Sequence, residues 1–460
     1  MDWRGSYGGR DPIARAGREA TRAGIDGARA IPDNGGMGGT GRKRIAVIGG
    51  GVIGVTSAYE LARRGHAVTL FEAREGVGLE TSYANGSILT PSMSDPWNGP
   101  GVHRHLAASL FDPYSPMKLR PRALPGLAIW GLHFLRNSSC KRHGHATDAS
   151  YQLSAYSVRL TAELRGELDL AYDASDRGIV KLFRDRRAMA EPAALAERLA
   201  SQGLVYRVLD PDQTVALEPA LAPIGERIAG AMHFNGDESG DAYLFTKALA
   251  EHFEQLGGVV CRGVRVDRIR LEGGAVSGLE TEGAFETADQ VVVAAGCWSP
   301  ALVAHLGISV PVKPAKGYSL TFPGDLVENP PRLPVVDDAM HALVVPVGRR
   351  LRIAGTAEFA GFDTRLRPER IENLRMLLAG LYPQIAAALP PDAGEPWTGL
   401  RPMTADGLPI IGPTPIPGLF LNTGHGHLGW TMAAGSARLL ADQLEDRAAE
   451  IPTRPYRVDR

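Results

Sequence analysis

Gly49, Gly51 and Gly54, the acid Glu72, the arginine Arg401 and the paired histidines His425 and His427 are the residues here whose types and spacing can do chemistry. The glycines stand in Gly49-Gly-Gly51-Val52-Ile53-Gly54, directly after the apolar run Arg44-Ile-Ala-Val-Ile48. In that order each has a task. Gly49 permits a tight strand-to-helix turn, Gly51 lets backbone approach a pyrophosphate, and Gly54 lets the helix pack closely on the strand. The helix expected from Val52 aims its amides and its positive dipole end at the phosphates. Glu72 lies 23 residues after Gly49, at the end of Ala67-Val-Thr-Leu-Phe-Glu72. A carboxylate there can hold ribose hydroxyls and disfavours a 2′-phosphate. These residues predict a site for the ADP half of a dinucleotide, with FAD and NAD both open at this point.

Two later segments must complete a longer ligand site. Gln290-Val-Val-Val-Ala-Ala-Gly296 reads as a buried strand ending at a glycine. Leu419-Phe-Leu-Asn-Thr-Gly424-His425-Gly426-His427-Leu428-Gly429 reads as a strand, a glycine turn and the start of a helix running to about Leu444. A nucleotide motif near one end and a second glycine-rich strand and helix near the other suit a cofactor longer than ADP.

The elements around these motifs set the fold class. The strand–helix–strand unit predicts an α/β protein with a Rossmann-like domain. Helical periodicity at Gly126–Arg136 and Ser150–Leu170, and short strands at Arg177–Phe183, His341–Val347 and Leu351–Ala357, predict an α+β domain on a mainly antiparallel sheet. Gly240-Asp241-Ala-Tyr-Leu-Phe-Thr246 starts a helix, and Gly258–Glu286 alternates like strands of a small sheet. The resulting division is a discontinuous nucleotide-binding domain (43–95, 236–300 and 391–450) interleaved with a second domain (96–235 and 301–390). Residues 1–42, with 11 glycines and seven arginines, read as a disordered extension, and Met37 is a candidate start of translation.

Composition excludes several classes. Fifty basic and 51 acidic residues give a net charge of −1, which leaves no broad footprint for nucleic acid. Three isolated cysteines fit a reducing, cytoplasmic compartment better than a disulfide framework. The longest apolar stretches are far shorter than the ~20 residues of a membrane span, while contact at a membrane periphery stays open. The histidines His103, His105, His143 and His145 lack metal-ligand context, so no metal is assigned.

At this point a resemblance becomes specific. Gly49–Gly65 with Glu72, the strand Val291–Ser299, Trp397-Thr-Gly-Leu-Arg401-Pro-Met-Thr-Ala-Asp406-Gly-Leu-Pro409-Ile-Ile-Gly412 and Asn422–Met432 resemble the D-amino-acid dehydrogenases, within the D-amino-acid oxidase and glycine oxidase-like flavoproteins. Glu80-Thr-Ser82-Tyr-Ala-Asn85-Gly86 and Lys316-Gly-Tyr318 also resemble that family, over residue 44 to the C-terminus. The resemblance implies noncovalent FAD and oxidative deamination of amino acids to 2-oxo acids and ammonia, by hydride transfer to flavin N5. It implies a small amino-acid substrate and a quinone or other electron acceptor. The substrate carboxylate needs a cation, and Arg401 in its motif is the first choice because a guanidinium fork binds carboxylate bidentately. A structural arginine paired to Asp406 is the alternative. Tyr318 is a candidate second carboxylate ligand or a core tyrosine, and His425 a candidate donor to the flavin. Ile48, Gly49, Gly51, Val52, Ile53, Gly54, Glu72, Ala73, Ser82, Asn85, Gly296, Gly424, Gly426, His427, Leu428 and Gly429 form the expected cofactor site. Gly86–Ser92 and Arg120–Trp130 depart from the family pattern, so a glycine, secondary-amine or hydroxyproline-type substrate is an alternative.

Overall fold

Gln290–Val293 and Arg44–Ile48 are apolar almost throughout because they lie at the centre of a sheet covered on both faces. The computed structural model describes residues 41–103, 115 and 117–460. The readings on residues 1–40, including Met37, and on His105 fall outside them. The sheet has six strands in the order Ile410–Pro413, Leu419–Thr423, Gln290–Val293, Arg44–Ile48, Ala67–Glu72 and Val259–Arg262. Ile410–Pro413 pairs antiparallel at one edge; the other neighbours are parallel. The helices Val52–Arg63, Ala242–Gln255 and Ala433–Leu444 cover one face through Val55, Leu61, Phe245, Phe253 and Leu440. The opposite face packs Ile48 and Val291 on Ile269, Leu279 and Val303. This is the doubly covered α/β layer expected for a dinucleotide fold, with ligands at the carboxyl ends of the strands.

A second sheet of nine strands holds the other half of the site. Its order is Glu395–Thr404, Val312–Pro323, Arg350–Phe359, Ala342–Val347, Val335–Asp337, Ile179–Phe183, Gly230–Phe234 and Tyr206–Leu209, with Met117–Leu119 beside Arg350–Phe359. Most pairs are antiparallel; Val335–Asp337 with Ile179–Phe183 and Met117–Leu119 with Arg350–Phe359 are parallel. One face is closed by the helix Pro368–Leu381, whose Leu374, Leu377 and Leu378 pack with Leu320, Phe322 and Ile353.

The structure corrects four local readings. Glu395–Thr404, assigned by sequence to the nucleotide domain, pairs along its whole length with Val312–Thr321 in the second sheet. The helix read at Ser150–Leu170 runs over Cys140–Leu168 and packs against the C-terminal helix, so it adds Leu153, Tyr156 and Leu160 to the nucleotide-side core. Small residues make that contact close: a Cβ on Gly435 would sit 2.9 Å from Ser157 Cβ. Val259–Arg262 joins the parallel sheet rather than the small three-stranded one. The C-terminal helix starts at Ala433, after a single 3₁₀ turn at Gly426–Leu428, not at the glycines themselves.

Candidate active site

Gly49 and Gly54 are required by the protein itself. A Cβ on Gly49 would come within 2.7 Å of the Ala294 carbonyl oxygen, at a φ of +111° that disfavours other residues. A Cβ on Gly54 would collide with the Gly49 carbonyl. Gly54 therefore sets the helix-to-strand distance and does not line the cavity. Gly51 differs. A Cβ there would meet nothing closer than Ser82 Oγ at 3.6 Å. The protein leaves that space free toward the cavity, as close approach of a pyrophosphate demands. Beside it the Val52 amide donates to Ser82 Oγ at 3.0 Å, at the first turn of the helix.

Glu72 ends its strand against this turn. Its carboxylate accepts from the amides of Gly50 at 2.6 Å and Arg74 at 2.7 Å. Burial raises its pKa, and those two amides oppose the rise. With Ile48, Ile53 and Ala73 it borders one end of a cavity of about 1650 Å³. The same cavity continues past Asn85, Gly296, Gly424, Gly426 and Gly429 to Arg401. The residues present fit FAD: an anion-ready helix start, a backbone free of Cβ where phosphate must approach, a carboxylate beyond it and a long apolar continuation. With Gly54, Leu428 is one of two expected cofactor residues that do not line the cavity. Its side chain is buried in the helix-side core, and its amide donates to the His425 carbonyl at 3.1 Å.

Arg401 faces the cavity from the strand Glu395–Thr404. It does not pair with Asp406, whose carboxylate is taken by Arg460 at 2.7 Å. Among the described residues no carboxylate forms an ion pair with Arg401. Instead one guanidinium nitrogen donates to the Thr356 carbonyl at 3.1 Å, and the group lies over the Trp97 ring with Cζ 5.6 Å from its centroid. Burial lowers its pKa to about 10, so it is still a cation at neutral pH. A cation in a cavity wall without an anion is an unmet electrostatic demand, of the kind that a carboxylate ligand satisfies.

Thr356 and Trp97 carried no signal in the sequence. Thr356 holds φ +54°, a conformation rare for a β-branched residue, beside an irregularity in the pairing of Val312–Pro323 with Arg350–Phe359. That irregularity turns its carbonyl toward Arg401. Trp97 also stacks on His427 at 5.3 Å. Only the fold brings residues 97, 356, 401 and 427 together.

The remaining candidates divide. Tyr318 donates its hydroxyl to Glu358 at 2.7 Å and is buried with Leu320 and Phe322 under the helix Pro368–Leu381. Strand alternation puts its ring on the opposite sheet face from Gly317, over which Arg401 lies. Tyr318 thus borders the cavity but commits its hydroxyl to Glu358 and its ring to the core cluster. Its partner Glu358 also meets Lys316 at 3.0 Å and Arg120. His425 borders the cavity, but its Nε2 shares a hydrogen bond with Ser436 Oγ at 2.9 Å, and burial drops its pKa to about 3. His427 Nε2 donates to the Met93 carbonyl at 3.2 Å, and burial drops its pKa to about 4. Both rings are neutral at physiological pH. Cys297 is buried with its thiol toward the Leu400 carbonyl, and burial pushes its pKa up, which suits packing rather than covalent attachment. Tyr83 packs edge-on against Tyr243 at 5.2 Å. Among the described residues no cluster of metal-ligating side chains occurs.

The comparisons agree with this geometry. Residues 44–443 match the family described as FAD dependent oxidoreductase. A D-amino acid dehydrogenase of Cereibacter sphaeroides is 42% identical over 418 residues, covering 91% of this chain and 95% of the relative. A D-amino acid dehydrogenase of Methylobacterium radiotolerans is 43% identical over 408 residues, covering 88% and 97%. Among solved structures, glycine oxidase from Geobacillus kaustophilus superposes with a TM-score of 0.71 at 27% identity, covering 91% of this chain and 99% of that one. With its glycine cradle, its carboxylate and its long cavity, the chain belongs to the FAD-dependent oxidoreductase family, in the branch of the D-amino acid dehydrogenases, and is a flavoenzyme that oxidises amino acids.

Proposed function

We propose that the protein deaminates D-amino acids oxidatively to 2-oxo acids and ammonia and passes the electrons to a quinone-type acceptor. The observation that carries this reading is Arg401, a half-buried guanidinium with no anionic partner among the described residues, facing the cavity that the nucleotide cradle opens into. FAD, when bound, supplies the two-electron acceptor for the Cα–H bond. The chain supplies placement. Gly49, Gly51, Val52 and Glu72 would hold the adenine-nucleotide half, and Gly296, Gly424, Gly426 and His427 border the remainder.

Arg401 would bind the substrate carboxylate through the nitrogens that Thr356 does not use. Thr356 and Trp97 fix the plane of the fork, so the α-carbon is presented in one orientation and bound geometry replaces chance encounter. The substrate amine reacts through its lone pair and needs no strong base in the site. This agrees with His425 and His427 staying neutral and committed to Ser436 and Met93. Water then hydrolyses the imino acid. The relatives' name, D-amino acid dehydrogenase, supports the D-enantiomer, and the exposed apolar face of Leu124–Asn137 supports a membrane-dissolved acceptor such as a quinone; the unpaired thiols of Cys140, Cys261 and Cys297 suit a cytoplasmic setting.

The test is an anaerobic screen of D- and L-amino acids that follows the visible absorbance of the flavin. Bleaching by D-amino acids, with reoxidation by a quinone analogue, is the expected result; bleaching by none overturns the reading. The likeness to glycine oxidase favours one second reading, an oxygen-using oxidase of glycine or a secondary amine. Stoichiometric peroxide during turnover in air would select it.

A further inference from the structure

The helix Leu124–Asn137 is apolar on both sides. Its inner side buries Trp130 and Phe134, which stack at 5.0 Å, and Trp130 Nε1 donates to the Met403 carbonyl at 3.2 Å. Its outer side leaves Leu124 46%, Ile129 75%, Leu132 69% and Leu135 43% exposed. A helix hydrophobic all round belongs inside something, and four such residues on one helix form a patch, unlike the scattered apolar residues of an ordinary surface. Charge says what covers it. Between positions 113 and 147 the sequence has six Lys or Arg and no Asp or Glu, in a chain whose net charge is −1. Arg122, Arg136, Lys141 and Arg142 are exposed around the patch.

From this we infer that the outer face of Leu124–Asn137 docks in the surface of a lipid bilayer containing anionic lipids. Leu124, Ile129, Leu132 and Leu135 enter the acyl boundary, and the basic residues meet the headgroup phosphates. At 14 residues the helix is too short to span a bilayer, which takes ~20, and lies in the interfacial plane. Docking there has a consequence for the site. Trp130 and Phe134 share a cluster with Trp97 and Met403, and Trp97 is the ring beneath Arg401. The lipid-facing helix thus backs directly onto the cavity wall, which puts the cavity near an acceptor dissolved in the membrane. The docking stands on exposure and charge and is independent of the acceptor proposed above.

The test uses the full-length, FAD-loaded protein, sedimented with vesicles of phosphatidylglycerol and phosphatidylcholine and, separately, of phosphatidylcholine alone. The wild type should sediment with the anionic vesicles, less so at high salt. The double variant I129E/L132E should bind at least about tenfold more weakly, and R136Q and K141Q about fivefold more weakly each. FAD content and turnover with a water-soluble dye should be unchanged in I129E/L132E, which shows that it is folded. Failure of the wild type to bind anionic vesicles, or equal binding by I129E/L132E, overturns the inference. Conversion of a dimer to a monomer by that variant, with vesicle binding unaltered, also overturns it and makes the face an interface between copies. Vesicle binding without reduction of a membrane quinone leaves the docking in place and refutes the quinone reading alone.

Discussion

Arg401 lies over Gly317 across adjacent antiparallel strands: a Cβ built on Gly317 would fall 2.5 Å from Arg401 Cζ. The guanidinium occupies the space that the missing side chain leaves. A methyl group at position 317 therefore displaces the cation proposed to hold the substrate carboxylate, without touching the nucleotide cradle. Gly317→Ala should raise the KM for the amino acid at least about tenfold, the worth of roughly 1.4 kcal/mol of lost charge-assisted hydrogen bonding. Flavin content should stay at wild-type level. Arg401→Ala should abolish saturation with substrate, again with FAD retained. Unaltered steady-state kinetics in either variant would remove Arg401 from the site.

Gly51 and Gly54 should respond differently to the same change. At Gly54 a Cβ strikes the Gly49 carbonyl, so Gly54→Ala is expected to misfold or to lose several kcal/mol of stability through forced separation of helix and strand. At Gly51 the protein has room, so Gly51→Ala should fold with a near-native melting temperature and lose affinity for FAD. Thermal melts of the apoproteins and flavin titration separate the two. Equal FAD affinity in Gly51→Ala and wild type would refute the pyrophosphate assignment.

Asp237 is a buried acid whose pKa burial pushes up to about 7, despite hydrogen bonds from the hydroxyls of Ser92 at 2.5 Å and Thr90 at 2.9 Å and the Ser92 amide. Its folded pKa lies above the ordinary value, so the folded state keeps a proton that the unfolded state has lost. Stability from this group is present below the ordinary carboxyl range near pH 4 and falls as pH rises toward 7, by up to about 1.4 kcal/mol per pH unit. Asp237→Asn should flatten that part of the stability curve. Denaturant midpoints measured from pH 4 to 8 for both proteins will show it; parallel curves would contradict it.

His425 and His427 titrate far below their ordinary range, both because of burial. Neither changes charge between pH 5 and 9. The pH profile of kcat/KM should have no histidine inflection near 6.5. His427→Gln should keep the shape of that profile while weakening substrate binding through the loosened Trp97 stack. An inflection near 6.5 that disappears in His427→Gln would give the imidazole an acid–base role.

Local spacing determined much of this protein. The turn at Gly49–Gly54 and the position of Glu72 follow from backbone sterics and strand length within one strand–helix–strand unit, so they are readable without a fold. Arg401 was legible through its motif. The same local logic could not decide partners. Whether Arg401 meets Asp406, five residues away, or Thr356, forty-five away, depends on the register of Glu395–Thr404 against Val312–Thr321, and the sheet sends Asp406 to Arg460 instead. Strand alternation, a matter of one residue, put Tyr318 on the face turned away from Arg401. Trp97 and the strained Thr356 gained meaning only when distant strands converged, because a carbonyl or a ring in a loop has no signature until something is placed beside it. The exposed face of Leu124–Asn137 was likewise hidden: its periodicity predicts a helix, and only tertiary packing decided that the described residues leave half of it uncovered.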